Sequence, residues 1–209
     1  MLTQIALMDW IEPAVRVFLG VFFLMIGLQF TARTLGLHAR MGFSHIHYGK
    51  RGQAGWWHRH TFNVFRSAIL LICLARIWVD LNAWLGVLPW LYQWPVLLMG
   101  VALLLGSFTA VNYLQAYMHE EWRSGVDQEA KHSKLLIEGP YARTRNPLFL
   151  AIMAGQLGFF LALPSVFTLV CLVAGVVVIV RQARVEEQAL ALRFGDTYEA
   201  YRARVPRWL

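Results

Sequence analysis

The stretch 147–180, PLFLAIMAGQLGFFLALPSVFTLVCLVAGVVVIV, decides the fold class. It holds no Asp, Glu, Lys or Arg, and it is interrupted once, at Pro164-Ser165. Proline removes a backbone donor and breaks a helix, so the stretch predicts two apolar helices, 147–163 and 165–180, folded back on each other in a tight turn. Helices that are apolar on every side need either a large protein around them or a bilayer. Three further runs, at about 13–35, 61–84 and 89–113, have similar character, with Pro13 suited to a first helical turn and Gly36 to an end. Since about 20 apolar residues cross the hydrocarbon core, these segments predict five membrane spans and leave no room for a separate soluble domain.

Composition agrees. The chain has 209 residues, 58% hydrophobic and 15% charged, with a mean hydropathy of +0.49. An all-α, polytopic membrane helical bundle is the expected fold class, with residues 1–209 as one membrane domain. Between the spans, 37–60 reads as an interfacial loop rich in Gly, His and Arg, and Arg181 onward reads as an amphipathic, arginine-rich tail. A net charge of +7 would suit nucleic acid, but no basic stretch is interleaved with stacking aromatics. Attraction to anionic lipid headgroups accounts for it instead, so no nucleic-acid partner is expected.

With five spans, the loops carrying Arg40, Lys50, Arg51 and Arg59, then Arg123, Lys131, Lys134, Arg143 and Arg145, and then the tail fall on one side. The opposite connections, Asp80 to Pro89 and the Pro164 turn, have no Lys or Arg. Cytoplasmic loops carry the positive excess, so the chain is expected in an inner membrane of bacterial type with its N-terminus outside and its C-terminus cytoplasmic. Trp56, Trp57, Trp78, Trp84, Trp90 and Trp94 fall near the span ends, where interfacial aromatics gather. Asp9 and Glu12 precede Arg16 and no small-residue cleavage site follows, so the first helix is expected to be retained. Cys73 and Cys171 lie in apolar runs and form no metal or redox spacing; both read as packing residues.

Chemistry concentrates where the fourth span begins. Gly139-Pro140-Tyr141-Ala142-Arg143-Thr144-Arg145-Asn146-Pro147 sets turn residues around two arginines at a helix start, which suits an anionic or carboxylate-bearing ligand as well as an ordinary positively charged turn. Arg181, Arg184, Glu186 and Glu187 follow the fifth span, and adjacent carboxylates there suit a cationic amino group or ribose hydroxyls, or a solvated helix face. A hairpin must bring its two free ends side by side, so the arginine turn and the Glu pair are expected to converge.

Gly139-Pro140-Tyr141, Arg145-x-Pro147, Glu186-Glu187, Phe194-Gly195, Tyr198 and Tyr201, and Val205-Pro206, in that order, resemble the C-terminal signature of the isoprenylcysteine carboxyl methyltransferase and phospholipid methyltransferase superfamily. Trp122 to Asp127 resembles a segment of its bacterial members. The resemblance implies an integral membrane methyltransferase that takes S-adenosylmethionine from the cytoplasm and receives a lipid or small hydrophobic acceptor from the bilayer. It implies that His132, Leu136, Gly139, Tyr141, Arg145, Asn146, Pro147, Glu186 and Glu187 line the cofactor pocket. Asn146 stands where that family usually has His, and Phe149 where it often has Tyr; Asn can still donate and accept, whereas Phe149 cannot replace a phenol. For a carboxylate acceptor Arg184 or Arg181 would hold the nucleophile; for an amine or thiol Glu187 would accept the proton, and the residues leave both open. Two alternatives are a reductase resembling the NADPH-dependent sterol reductases and a transporter or scaffold without chemistry.

Other polar residues invite quieter readings. His38, His45, His47, His58 and His60 cluster without an acidic or thiol partner, and no metal is expected there. Asn112, Gln115 and His119 lie on nearly one face after the third span and read as helix-end polarity, or as the border of the pocket. Arg76 is costly inside a span, and Asp80, one turn later, is its expected partner.

Overall fold

The computed structural model describes residues 2–41, 54–118 and 135–209, and those residues are helical almost throughout. The helices are α1 (Leu2–Met41), α2 (Ala54–Trp78), the single turn α3 (Asn82–Leu85), α4 (Trp94–Met118), α5 (Pro147–Ala162), α6 (Val166–Phe194) and α7 (Asp196–Arg204). A 3-10 turn, Gly139–Ala142, precedes α5. Extended pairing among the described residues is limited to one bridge, Val87 with Ser165.

The five main helices alternate in direction. Arg16 donates to the Arg76 carbonyl at 3.3 Å, and Gly20 lies against Cys73 and Ile77, so α1 and α2 are antiparallel. Phe22 meets Phe108 and Gln29 donates to Asn112 at 2.5 Å, so α4 runs parallel to α1. The α4–α5 contact is the closest in the bundle, because small residues let the backbones approach. A Cβ on Gly158 would stand 2.8 Å from the Leu104 backbone nitrogen, and one on Gly100 would collide with the Ala162 backbone. Ser107 meets this contact with its own hydrogen bond, donating to the Ala151 carbonyl at 2.8 Å. The buried core, Val15, Leu19, Phe22, Cys73, Leu97, Leu104, Phe159 and Leu163, lies where these helices meet, and both cysteines are buried and unpaired.

Leu7–Gln29, Trp94–Met118 and Val166–Phe194 are long and apolar enough to cross a membrane, and α5 is a shorter apolar helix. The fold is a helical membrane bundle. Element ends differ from those read from hydropathy, because helical hydrogen bonding does not stop where the hydrocarbon would. α1 continues to Met41 and α2 starts at Ala54, so helix enters the polar 37–60 stretch from both sides. α2 ends at Trp78 rather than near 84, and α4 starts at Trp94 rather than Pro89. α6 is one helix to Phe194, which replaces the expected tail after Arg181.

The hairpin turn is built as its sequence requires. Ser165 accepts from the Thr168 amide at 3.2 Å while the Thr168 hydroxyl accepts from the Ser165 amide at 3.2 Å, a reciprocal cap that satisfies two donors left free by the first turn of α6. Leu88 donates to the Pro164 carbonyl and Val166 to the Gly86 carbonyl, both at 2.9 Å, which pins the turn to the α3–α4 connection.

At that same end the expected Arg76–Asp80 pair is not formed. Arg76, 2% exposed, donates through Nη2 to Asn82 Oδ1 at 2.8 Å and Tyr92 Oη at 3.1 Å, and lies 3.5 Å from Glu12. Glu12 also accepts from Arg16 and from the Tyr92 hydroxyl, each at 2.7 Å. Asp80 has a 67% exposed side chain; it lies 3.5 Å from Arg16 and accepts from the Asn82 amide at 2.9 Å. A buried guanidinium takes the carboxylate available on the neighbouring helix, because α2 ends at Trp78 and Asp80, in the connection beyond it, is exposed to solvent. Trp10, Trp78, Trp84 and Trp90 are all strongly exposed around this end, as interfacial aromatics are.

Candidate functional site

The opposite end of the bundle gathers the C-terminal turns of α4 and α6, the 139–147 turn, α7 and the chain after it. Gly139 adopts φ 58°, a conformation that favours glycine, and a Cβ there would stand 2.7 Å from the Tyr117 hydroxyl. This close approach sets Tyr141 beside Tyr117, with ring centroids 6.3 Å apart and an interplanar angle of 23°. The Tyr141 hydroxyl reaches Met118 Sδ at 3.1 Å, and its carbonyl accepts from the Tyr201 hydroxyl at 2.7 Å. Burial, then the charge of nearby Glu186, pushes the Tyr141 phenol well above its usual pKa, so it stays neutral.

Pro147 occupies the first position of α5, where its missing N–H costs nothing. Asn146, just before it, makes no side-chain cap. Its amide is committed elsewhere: Nδ2 donates to Glu187 Oε1 at 2.9 Å and to the Arg207 carbonyl at 3.3 Å. The amide orientation follows from the partner, since a carboxylate only accepts. Thr144 donates to the same Arg207 carbonyl at 2.9 Å, and the Arg145 amide to the Pro206 carbonyl at 3.0 Å.

Glu187 is the meeting point. Besides Asn146 it accepts from Arg145 Nη2 at 3.2 Å, from Arg207 Nε at 3.0 Å and from Arg207 Nη2 at 3.0 Å. Its side chain and that of Arg145 are each 8% exposed. The hydrogen bond to Glu187 raises the Arg207 pKa against a smaller opposing effect of burial. Convergence of the arginine turn with the Glu pair is therefore direct contact, made because the hairpin runs α6 back past the start of α5.

Among the described residues, two donors at this cluster are buried without a partner, Arg145 Nε and the Tyr198 hydroxyl. Two guanidiniums against one carboxylate leave the cluster with an excess positive charge. Burial pushes the Tyr198 and Tyr201 phenols up to about 12, so both remain donors at neutral pH.

Glu186 differs from its neighbour. It is half-buried, accepts from Gln182 at 3.0 Å and lies on the Tyr141 side of α6. Arg184 is exposed, as is Arg181. At about 100° per residue Arg184 lies about 160° around α6 from Glu186, so helix geometry keeps these two apart. Leu136 is half-buried just before the 3-10 turn. His132, His119 and 122–127 lie outside the described residues, as do His45 and His47 and the side chains of His38 and His58. Arg207 was not among the residues the sequence pointed to; a basic residue near a chain end looks like solvated charge, and only the fold shows its carboxylate.

A polar, mostly buried cluster at one end of an apolar helical bundle defines a membrane protein with a charged site at the bundle mouth. Residues 95–197, about half of the chain, from the second residue of α4 to the start of α7, match the family model described as phospholipid methyltransferase. The chain belongs to that family, and so to the membrane methyltransferases. No curated protein and no solved structure matches it significantly. The match includes 139–147 and Glu186-Glu187 and leaves out α1 to α3 and the chain after 197.

Proposed function

We propose that this cluster is the cofactor end of an S-adenosylmethionine-dependent methyltransferase acting on a lipid or small hydrophobic acceptor. The carrying observation is the contact of the 139–147 turn with Glu186-Glu187, together with the two buried donors that lack an acceptor. S-adenosylmethionine would supply a methyl group activated by a positive sulfur, along with a carboxylate, an ammonium group and a nucleoside. The residues present fit such a molecule. Arg145 Nε and the Tyr198 hydroxyl would take its carboxylate. Glu186, whose hydrogen-bond donor among the described residues is Gln182, would face a cationic group.

Glu187 has four donors and little capacity left, so in this reading it holds Arg145 and Asn146 in place and Glu186 is the carboxylate available for proton acceptance. Arg184, exposed beyond the apolar part of α6, would meet an acidic headgroup of the acceptor. Gly139, Tyr141 and Pro147 shape the wall, and His132 and Leu136 belong to the approach to it. α6 has no charge before Arg181, and exposed arginines crowd the site end at positions 181, 184, 193, 202 and 204, which supports five passes with this end cytoplasmic.

Thermal unfolding of the purified protein with S-adenosylmethionine, S-adenosylhomocysteine or NADPH tests the reading. A ligand at 100 times its Kd adds about 2.7 kcal/mol by mass action. Stabilisation by the first two and not by NADPH is expected. Stabilisation by NADPH alone would favour a reductase, and none by any of the three would leave the site without its cofactor.

A further inference from the structure

The last residues of the chain are tied to the site more tightly than their position beyond the family match suggests. Tyr198, Tyr201 and Val205 form a small core of their own with Leu135, Leu190, Ala191 and Phe194, separate from the core of the bundle. This core docks α7 across the end of α6. From there the chain passes directly over the 144–146 turn. The Pro206 carbonyl accepts from the Arg145 amide at 3.0 Å, and the Arg207 carbonyl accepts from Thr144 at 2.9 Å and Asn146 at 3.3 Å. The Arg202 carbonyl accepts from Arg145 Nη1 at 3.2 Å. The Arg207 guanidinium then closes the loop with two parallel bonds of 3.0 Å to Glu187.

These contacts are not interchangeable with surface charge pairs. Of the partners of the Arg145 guanidinium, the Arg202 carbonyl is carried by α7, and the Glu187 carboxylate of α6 is shared with Arg207 of the extension. Without Arg207, the Glu187 carboxylate would draw Arg145 toward itself alone, and Arg145 Nε would lose the orientation that leaves it unpaired. A guanidinium is planar and bidentate where an ammonium is a point charge, so lysine cannot reproduce the geometry.

We propose that Arg207 is a positioning residue for the methyl-transfer site: its guanidinium and its carbonyl together latch 205–207 onto Glu187 and the 144–146 turn and so aim Arg145 at the cofactor. This rests on the reading of the site as a cofactor pocket. The chemistry requires no further component, since Arg207 acts through Glu187 and Arg145 and not on the reacting atoms.

Calorimetric titration of the full chain in nanodiscs with S-adenosylhomocysteine tests this, using wild type, Arg207→Ala and Arg207→Lys. Loss of a charge-assisted bidentate pair predicts affinity weakened by roughly tenfold to a hundredfold in Arg207→Ala, with Arg207→Lys recovering only part. Millimolar ethylguanidinium should restore binding to Arg207→Ala by refilling the slot beside Glu187, and ethylammonium should not. A role confined to stability would show instead as a lowered melting temperature that ethylguanidinium leaves unrepaired. Wild-type affinity in Arg207→Ala, or loss without guanidinium rescue in a variant that melts like wild type, overturns the proposal and leaves the cofactor reading intact. Absence of binding by the wild type overturns both.

Discussion

Replacing Glu187 by Gln keeps the shape of the side chain and removes its charge, leaving Arg145 and Arg207 to face each other across a neutral amide. Four N–H donors from three residues point at the carboxylate, at 2.9 to 3.2 Å. Removing one partner of a buried pair costs roughly 3–5 kcal/mol, because the other charge stays buried and uncompensated. Arg145, 8% exposed, cannot escape to water, whereas Arg207, 34% exposed, largely can. Discounting the Arg207 share for solvent screening puts the loss near the lower bound, about 3 kcal/mol. For a chain of this size that corresponds to a fall in Tm of roughly 6–12 °C. The assay is thermal unfolding without cofactor, followed by circular dichroism. The adjacent Glu186→Gln variant is the control: it disturbs one hydrogen bond, costs about 1 kcal/mol or less, and should instead weaken S-adenosylhomocysteine binding. A Glu187→Gln protein melting within about 1 °C of wild type would refute the argument, and equal phenotypes at the two positions would refute the division of roles.

At the far end, Arg76→Leu should destabilise by about 1–3 kcal/mol by removing the donor to Asn82 Oδ1 and to the Tyr92 hydroxyl, while Glu12 keeps Arg16, and Asp80→Asn by under about 1 kcal/mol; denaturant titration of both separates the observed pairing from the expected one. Gly158→Leu should open the α4–α5 contact at a cost of about 3 kcal/mol or more, seen as loss of the folded fraction on solubilisation. Tyr198 and Tyr201 have raised pKa values, so the stability they contribute is complete below their unfolded pKa of about 10 and falls as pH rises toward 12. Absorbance of the phenolates and melting temperature, followed together from pH 9 to 12, should therefore change together, and Tyr201→Phe should lower the change in both.

Much of this is legible in the sequence alone. Pro164 and the uncharged 147–180 stretch announced the hairpin, and the hairpin by itself brought Arg145 to Glu187. Hydropathy reports which residues belong in hydrocarbon, so it read the middles of the helices well and their ends poorly; α6 runs on to Phe194 because Gln182 to Arg193 remain good helix formers beyond the apolar part. The Arg76 partner was misassigned because spacing along one helix was the only geometry a sequence offers, and Glu12 is 64 residues away. Arg207 was invisible for the same reason. Its role depends on α7 folding back across α6, which no local pattern encodes. The difference between Glu186 and Glu187 is likewise a matter of about 100° around one helix.

α6 is also a gauge. It runs without a break from the Ser165 cap to Phe194, and at 1.5 Å per residue Glu187 stands about 32 Å along it from Val166, close to the thickness of the hydrocarbon layer. Because the reciprocal cap and the Gly86–Val166 bond fasten one end of this rod, the other end is held at a set depth. On the proposed reading, molecules floating in the bilayer would then be sorted by elevation: a reactive atom carried at headgroup height would come level with the Glu pair, and the same atom buried among acyl chains would pass underneath.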